Sequence, residues 1–438
     1  MTKLKLLLPA LSATALALLS PAVPAQLRID ITSGVTDPIP VAVARFAQEP
    51  AAPTAAFDFA EVIRQDLERS GRFRLLPRER MPGAPSRADA VVAADWRNLG
   101  TDYVLVGRAT AGPAAGQSTV DFELLNVLNG QRLLSERLVV PAATARNGAH
   151  RIADRVHEKI LGVRGAFATR IAYVSVDGAP PNQRYQLLVA DADGEAARVI
   201  LESRQPLMSP AWSPDGEWLA YVSFEARASA VYVQRLRTGE RRRVSARRGI
   251  NGAPSWSPDG SKLALTLSGS GGNLDVYVLE LATQALTRIT DDPGIDTEPV
   301  WAPDGAAIYF TSDRSGGPQV YRVAPTPGDR PKRITFGGGY NARPRLSPDG
   351  TQLAFVTLEG GGYKVAIQDL AGGGSRVLTQ GRFDESPSFA PNGATLIYAG
   401  RERGQGTLAT VSADGLITQR LKSDRGEVRE PAWGPFLR

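Results

Sequence analysis

Few side chains of this 438-residue chain are suited to catalytic or metal chemistry. It contains no cysteine, which excludes disulfides, thiolate metal sites and a cysteine nucleophile. Its two histidines, His150 and His157, are seven residues apart in a predicted helix and could face one metal ion. Two ligands without a third Asp, Glu or His at helical spacing make a poor site, so we expect both histidines to be solvent-exposed.

Motifs for nucleophilic catalysis and phosphate binding are also absent. The sequence has no G-x-S-x-G nucleophile elbow, and its glycine clusters fit neither a G-x-G-x-x-G fingerprint nor a P-loop. No histidine follows residue 157, so a serine in that part of the chain has no histidine as its base. We therefore expect no catalytic residue, no cofactor and no metal.

A seven-residue phrase organises the second part of the chain. The first copy is PAWSPDG at residue 210, and four further copies are PSWSPDG, PVWAPDG, PRLSPDG and PSFAPNG. A shortened sixth copy, PAWGPFLR, begins at residue 431. The opening prolines are 43 to 45 residues apart, which is typical of propeller blades or helical pairs. Short alternating runs such as WLAYVSF and AVYVQRL follow the phrase, and these predict β-strands.

The phrase combines a turn with a large apolar residue. Ser-Pro-Asp-Gly suits a tight hairpin loop, with the glycine in the left-handed region. The large residue before it could form a binding platform, but we expect a wedge between neighbouring blades. The fourth phrase departs from the pattern, because Arg345 and Leu346 replace a small residue and an aromatic one. The six wedge residues are Trp212, Trp256, Trp301, Leu346, Phe389 and Trp433.

The shortened sixth copy predicts how the ring closes. The run TRIAYVSV (169–176) has no phrase before it and reads as the second strand of a blade. The run EPAWGPF (430–436) then supplies the missing inner strand of that blade. The pattern predicts an all-β six-bladed β-propeller over residues 166–438, closed by the C-terminal strand.

Residues 39–165 alternate predicted strands and helices. Asp58 is a predicted helix cap, and further helices are expected near residues 88–98 and 143–161. Asn129-Gly130 separates two alternating runs, which indicates a hairpin. The segment predicts a compact α/β N-terminal domain in front of the propeller.

The first 25 residues are typical of a secretory signal peptide. Lys3 and Lys5 precede an apolar run, and small residues precede Gln26. No later stretch is long enough to span a bilayer, so we expect no membrane insertion. The net charge of +6 falls to +4 without the two lysines, and we interpret the basic run at 235–248 as a solvated face, not a nucleic-acid site.

The residues before each repeat proline should gather at one mouth of the propeller channel. They mix Met, Ile and Tyr with Asp, Glu, Arg and Asn, and an apolar centre with a charged edge is typical of a protein-binding surface. Ordinary polar loops before strands would give the same pattern, so the residues leave both interpretations open. The segments are 207–209, 250–253, 296–298, 340–343, 384–386 and 428–430.

Longer stretches carry a resemblance to a known family. QPLMSPAWSPDG, NGAPSWSPDG, PAWGPFL and GAFATRIAYVS resemble the TolB family, the periplasmic component of the Tol-Pal cell-envelope system. The likeness runs from residue 26 to 438. It implies a non-enzymatic periplasmic adaptor whose propeller face binds the outer-membrane lipoprotein Pal and whose mature N-terminal segment binds TolA. We expect a monomer.

The resemblance also implies contact residues. The Pal face of the family falls on Ile250, Asn251, Ala253, Thr297 and Glu298, with isoleucine where a histidine is common at the first position. With the other mouth residues, the predicted Pal surface is Met208, Ser209, Ile250, Asn251, Ala253, Thr297, Glu298, Tyr340, Asn341, Glu385, Arg429 and Glu430.

The predicted TolA site is the arm, residues 26–38. Its alternation suits pairing with the protein's own domain or addition of a strand to a partner, and the resemblance favours a switchable arm that TolA captures. A propeller hydrolase or lyase that acts on envelope polymers stays the alternative function. The predicted arm contacts are Gln26, Leu27, Arg28, Ile29, Asp30 and Ile31.

Overall fold

The computed structural model describes residues 27–33, 35–269, 271–423 and 426–437. The predicted signal peptide and Gln26 lie outside the described residues. Strand β1 comes first, and an N-terminal α/β domain of six strands and three α-helices follows it. These elements are β1 (Leu27–Ser33), β2 (Ile39–Val43), β3 (Ala47–Gln48), α1 (Phe59–Arg69), β4 (Phe73–Leu75), α2 (Ala93–Arg97), β5 (Tyr103–Ala111), β6 (Gln117–Asn126), β7 (Arg132–Pro141) and α3 (Ala145–Leu161).

The sheet of the α/β domain has the order β4-β2-β5-β6-β7, with β3 beside β5. Strand β2 pairs in parallel with β4 and β5, whereas β5, β6 and β7 form an antiparallel meander. As predicted, Asp58 caps α1, because its carboxylate accepts from the Glu61 N–H at 3.1 Å. The predicted single helix over 88–98 is wrong: a 3₁₀ turn (Ala88–Ala90) precedes the short helix α2.

The propeller consists of six blades of four antiparallel strands, as predicted. Blade 1 contains three consecutive strands and the last strand of the chain, and blades 2 to 6 each contain four consecutive strands. The strands are β8 (Arg170–Asp177), β9 (Arg184–Asp191) and β10 (Arg198–Ser203); β11 (Leu207–Trp212), β12 (Trp218–Ser223), β13 (Ala230–Arg235) and β14 (Arg241–Ser245); β15 (Asn251–Trp256), β16 (Lys262–Ser268), β17 (Leu274–Glu280) and β18 (Leu286–Arg288); β19 (Asp296–Trp301), β20 (Ile308–Ser312), β21 (Gln319–Val323) and β22 (Lys332–Arg333); β23 (Asn341–Leu346), β24 (Gln352–Glu359), β25 (Gly362–Asp369) and β26 (Ser375–Val377); β27 (Glu385–Phe389), β28 (Thr395–Glu402), β29 (Gln405–Ser412) and β30 (Thr418–Ser423); and β31 (Glu427–Trp433).

The C-terminal strand closes the ring, as the shortened phrase predicts. Strand β31 is the inner strand of blade 1 and pairs with β8, with Val428 opposite Ser175 and Trp433 opposite Ile171. Its side chains also pack against blade 6, in one apolar cluster with Ile397, Leu408 and Leu421. The first and last blades are therefore joined by the last strand of the chain.

The large residues of the repeated phrase lie between blades, as predicted. Trp212 of blade 2 donates its indole N–H to the Ala432 carbonyl of blade 1 at 3.0 Å. Trp256 of blade 3 donates to the Ala211 carbonyl of blade 2 at 3.1 Å. Leu346 packs with the blade 4 residue Tyr309, so the apolar substitute keeps the position of the wedge.

The two mouths of the channel differ in what covers them. The inner strands begin at one mouth, which we call the upper mouth, and the phrase turns lie at the other, the lower mouth. The α/β domain packs at the lower mouth against blades 6 and 1. There Asn392 donates to the Arg164 carbonyl at 2.9 Å, and Arg72 pairs with Asp414. The α/β domain therefore leaves the upper mouth uncovered.

Candidate functional site

Each inner strand has a bulge at the residue before its repeat proline. The pairing register shifts at this point in all six inner strands. The residue there has a positive φ, between 47° and 55°, although none of the six is glycine. A bulge bends a strand and redirects its backbone groups, and the left-handed conformation of a non-glycine residue needs support from its surroundings. The six residues are Ser209, Ala253, Glu298, Arg343, Ser386 and Glu430.

Hydrogen bonds to the preceding blade support these strained positions. The Ser209 N–H donates to a Glu430 carboxylate oxygen at 3.2 Å, and the Glu298 N–H donates to Thr266 Oγ1 at 3.2 Å. The Arg343 N–H donates to Glu298 Oε2 at 3.0 Å. At these positions the bulge directs a backbone N–H across the blade boundary, where a side chain of the preceding blade accepts it.

Arg343 is the centre of a charged network in the channel. Its Nε lies 2.9 Å from Glu298 Oε1, its Nη1 lies 3.6 Å from Glu385 Oε2, and it also contacts the Ser386 hydroxyl. Burial alone would lower the pKa of Arg343, but the carboxylates of Glu298, Glu430 and Glu385 raise it above its ordinary value. The network therefore holds a guanidinium in place under the upper mouth.

Arg345 is a second guanidinium in the channel. It donates to the Pro344 carbonyl at 2.8 Å, and no carboxylate of the described residues pairs with it. Burial lowers the pKa of Arg345, Arg343 lowers it further, and the carboxylates of Glu298 and Glu430 oppose this effect only in part. The equivalent residues of the other blades, such as Ser255 and Ser388, are small. The charge at residue 345 is therefore poorly compensated.

The structure divides the predicted Pal surface into exposed, half-buried and buried residues. Met208, Ile250 and Glu385 are exposed at the upper mouth, and Ile250 is 46% exposed. The buried residues Asn251 and Asn341 hold the connections between blades: the Asn251 side chain accepts from the Arg247 N–H at 2.8 Å and donates to the Arg247 carbonyl at 2.7 Å. The half-buried residues are Ser209, Ala253, Thr297, Glu298, Tyr340, Arg429 and Glu430.

Five exposed apolar side chains of the upper mouth are absent from the sequence-based set. The most exposed is Phe336, at 74%. The Tyr363 ring stacks edge-on against Tyr340 with centroids 5.2 Å apart, and the Tyr363 backbone bridges to Phe383. They lie on the connections that enter the inner strands or on the hairpin of blade 5, so a search of those connections would have found them. The five are Ile295, Phe336, Leu358, Tyr363 and Phe383.

With Met208 and Ile250, these five residues are distributed around the upper mouth, and we call the set of seven the mouth patch. Its seven members are among twelve exposed large apolar side chains in the described residues. Large exposed apolar patches are rare on monomeric soluble proteins, so the upper mouth is a candidate interaction surface. The charged network of Arg343 lies directly beneath it.

Strand β1 of the arm pairs with the propeller, and after it the Val35 N–H donates to the Gly71 carbonyl of the α/β domain at 3.5 Å. Strand β1 adds a fifth strand to blade 6 by pairing antiparallel with β30, from Leu27 opposite Ser423 to Ser33 opposite Thr418. Because β30 runs from the lower to the upper mouth, Leu27 lies at the upper end of the blade. Of the two hypotheses for the arm, the structure shows pairing within the chain, at an edge that the sequence did not identify.

The predicted exposure of both histidines is wrong. His150 is 1% exposed, and its Nδ1 lies 2.6 Å from Asp66 Oδ2. His157 is also buried, its Nδ1 lies 2.8 Å from the Val163 carbonyl, and burial lowers its pKa. The reason is that α3 packs against α1 and β7 on one side and lies against the propeller on another. The apolar stripe of α3 in the sequence indicates only the first of these contacts, the one within the α/β domain.

No helix of the described residues has the length and apolarity required to cross a membrane.

Comparison with known proteins gives one consistent family. Residues 27–133 match the model of the TolB amino-terminal domain, and residues 157–437 match that of the TolB beta propeller domain. The Tol-Pal system protein TolB of Methylococcus capsulatus is 56% identical over 411 residues, which cover 94% of this chain and 95% of that protein. Its counterpart from Thioalkalivibrio sulfidiphilus is 52% identical, with 94% of each chain covered.

A solved structure agrees over both parts of the chain. The crystal structure of TolB from Acinetobacter baumannii superposes with a TM-score of 0.86 at 41% identity, and the match covers 94% of this chain and all of that one. The fold, the closing strand and both family models point the same way: this chain belongs to the TolB family.

Proposed function

We propose that this chain is a non-enzymatic adaptor of the Tol-Pal system in the periplasm. Its upper mouth binds the lipoprotein Pal, and its N-terminal arm binds TolA. By linking the two, it supports outer-membrane integrity and envelope constriction during cell division. The names of its relatives support a role in the Tol-Pal system, and the mouth patch and the arm support the two contacts.

The mouth patch is the observation that carries the proposal. Phe336 is 74% exposed, the rings of Tyr340 and Tyr363 contact each other edge-on, and the Tyr363 backbone bridges to that of Phe383, which is 54% exposed. Aromatic side chains surrounded by charged residues are typical of the few positions that supply most of the binding energy at a protein interface. The patch therefore suits a protein partner that presents a complementary apolar surface.

The network beneath the patch supports binding by a rigid surface. Arg343, on the inner strand of blade 5, contacts Glu298 on the inner strand of blade 4 and Glu385 and Ser386 on the inner strand of blade 6. It therefore holds these three strands together. A preformed surface loses less conformational entropy when a partner binds. Glu298 and Glu385, which the sequence assigns to the Pal surface, contribute to this scaffold.

The arm suits capture by strand addition. In its docked position β1 uses one backbone edge to pair with β30. We take TolA to bind this same edge, where it competes with β30, because each backbone N–H and carbonyl pairs with one neighbouring strand at a time. TolA binding then requires the arm to leave blade 6.

The position of β30 couples the arm to the mouth. Strand β31, the next strand of the chain after β30, carries Arg429 and Glu430 at the upper mouth. Glu430 in turn accepts the Ser209 N–H of blade 2. When the arm leaves, β30 loses the strand that pairs with it and can shift, and β31 follows β30 directly in the chain. A shift of β31 would move Arg429 and Glu430 at the upper mouth. TolA binding and Pal binding should therefore change each other's affinity by the same factor.

The alternative, a propeller hydrolase or lyase acting on envelope polymers, has less support. The propeller sequence contains no histidine. The channel carboxylates of Glu298 and Glu430 are engaged with backbone N–H groups and with Arg343, an arrangement that fixes the ring.

Substitutions in the mouth patch test the proposal. Ile250→Arg and Phe336→Arg each place a charge where an apolar partner surface must pack, so we expect Pal affinity, measured by calorimetry, to fall at least tenfold, about 1.4 kcal/mol. Leu128→Arg is the matched control, because Leu128 is 55% exposed on the α/β domain. Both mouth variants should melt like the parent protein, since their side chains are exposed.

Unchanged Pal affinity in both mouth variants, or an equal loss in Leu128→Arg, would contradict the assignment. Turnover of an envelope polymer by the purified chain, together with no Pal binding, would favour the alternative function.

A further inference from the structure

Positive charge is concentrated in blade 2. Residues 207–248 contain eight arginines, no lysine and four acidic residues, which gives a net charge of +4. Blade 3 (251–288) has two basic and three acidic residues, and blade 4 (296–333) has five of each. The chain without its predicted signal peptide also carries +4, so the rest of the mature chain is neutral. The basic run of the sequence therefore marks a local excess of positive charge.

The acidic side chains of blade 2 are already engaged. Three of them pair with arginines of the sheet, and Arg241 also stacks on the ring of Tyr232, 3.8 Å from its centroid. The fourth, Asp215, accepts the Glu217 N–H at 2.9 Å in the turn at the lower mouth. The three ion pairs are Glu217–Arg235, Glu225–Arg241 and Glu240–Arg242. The blade therefore has no free carboxylate for its other arginines.

Four arginines on the outer edge of blade 2 are exposed and belong to no ion pair of the described residues. Arg237 lies in the hairpin between β13 and β14, at the lower end of the edge, and Arg243 lies within β14. Arg247 and Arg248 follow β14 at its upper end, where the buried Asn251 side chain bonds both backbone groups of Arg247. Strand β14 is the last strand of its sheet, and its five residues span about 17 Å. We call these four arginines the basic edge.

The basic edge lacks the features of a protein-binding surface. No exposed large apolar side chain of the described residues lies between residues 209 and 249. A protein interface normally has an apolar core inside a polar rim, whereas the headgroups of a lipid leaflet present charge alone. The four arginines are also distributed along the height of the ring, so they suit an extended charged surface and not one small anion.

We propose that the basic edge binds the phosphate headgroups of an anionic lipid surface, by electrostatic attraction and without insertion into the bilayer. A guanidinium pairs with a phosphate through two parallel hydrogen bonds, which favours arginine for this contact. Each basic residue near an anionic leaflet strengthens binding about fivefold, so four strengthen it about 500-fold. The contact leaves the arm accessible, because β1 lies on the outer edge of blade 6 and not on that of blade 2.

Sedimentation of the mature chain with lipid vesicles tests the site. Vesicles of phosphatidylcholine with about 30% phosphatidylglycerol should bind the parent at about 0.05 M salt, and pure phosphatidylcholine vesicles should not. Binding should be lost at about 0.5 M salt, where charges are screened within about 4 Å. Pal and TolA are absent from this experiment, so its result does not depend on the proposed adaptor role.

Variants that remove four charges locate the binding. The edge variant should bind anionic vesicles at least about 100-fold more weakly than the parent, and lysine at the same four positions should restore binding to within about fivefold. The matched control removes the same charge from four exposed arginines elsewhere that have no ion pair, and it should bind within about tenfold of the parent because distant charges are screened. The edge variant carries Arg237→Gln, Arg243→Gln, Arg247→Gln and Arg248→Gln, and the control carries Arg97→Gln, Arg151→Gln, Arg330→Gln and Arg401→Gln.

All eight side chains are exposed, so both variants should melt like the parent. Equal vesicle binding by the parent and the edge variant, or an equal loss in the control, would overturn the proposal. So would binding to neutral vesicles as strong as to anionic ones, or no binding to either. Displacement by free phosphate at constant ionic strength would show that a single anion is the ligand, and binding to polyglutamate without binding to vesicles would show that it is an acidic protein. Either result would refute the lipid surface.

Discussion

Replacing Trp433 tests closure of the ring by the C-terminal strand. Its ring packs between blades 1 and 6, in one cluster with Ile171, Leu188 and Ile397. Its indole N–H donates to Thr169 Oγ1 at 2.8 Å, and its backbone N–H donates to Ser388 Oγ at 2.9 Å. Truncation of a buried tryptophan costs about 3–5 kcal/mol, and because Trp433 is half-buried we expect Trp433→Ala to cost about 3 kcal/mol.

The assay is urea unfolding followed by circular dichroism. Trp433→Phe is the matched variant: it keeps most of the apolar contact and loses the indole hydrogen bond, so it should cost about 1 kcal/mol. Hydrogen exchange in Trp433→Ala should quicken in both β8 and β27, which lie on either side of β31. Removal of residues 430–438 should destabilise the whole ring, because blade 1 then exposes the edge of β8 and blade 6 exposes the apolar face that packs against β31.

A cost below about 0.5 kcal/mol for Trp433→Ala, or faster exchange confined to β31 itself, would refute the closure argument. A truncated chain that melted like the full-length protein would refute it equally.

Three further predictions concern the arm and two buried charges. Removal of residues 26–33 should eliminate TolA binding in calorimetry and leave the propeller folded, since β1 is an edge strand; retained TolA affinity would place the site elsewhere. Burial raises the pKa of Asp154 to about 8, so the folded state binds more protons than the unfolded state between about pH 4 and pH 8. The free energy of unfolding should therefore fall as the pH rises through that window, by at most about 1.4 kcal/mol per pH unit, and Asp154→Asn should flatten this slope; an unchanged slope would contradict the assignment. Arg345→Ser should stabilise the ring by about 1–3 kcal/mol in urea unfolding, because it removes a poorly compensated charge; a lower stability would show that Arg345 has a partner.

The ring was predictable from sequence because its signals are local and repeated. Each phrase combines a turn with a residue such as Trp212 or Trp256 that packs on the preceding blade. The closing strand was predictable because no copy of the repeated phrase precedes β8, so blade 1 needs an inner strand from elsewhere in the chain. These features depend on short stretches of chain, and six copies reinforce one another.

The remaining features depend on contacts between distant segments. His150 is buried because α3 meets both α1 and the hairpin of blade 1. The left-handed residues before the repeat prolines, such as Glu298, oppose the usual preference of a residue before proline, and their support comes from neighbouring blades. Phe336 and Phe383 lie on connections with no repeat pattern, so only the ring brings them to one surface.

Linkage between the two partners is the most direct test of the proposed adaptor role. TolA affinity should be measured by calorimetry on the full mature chain, first alone and then with saturating Pal. Coupling through β30 and β31 predicts that Pal changes TolA affinity by at least about fivefold, and that TolA changes Pal affinity by the same factor. Equal TolA affinities with and without Pal would show that the two sites are independent and would contradict the account.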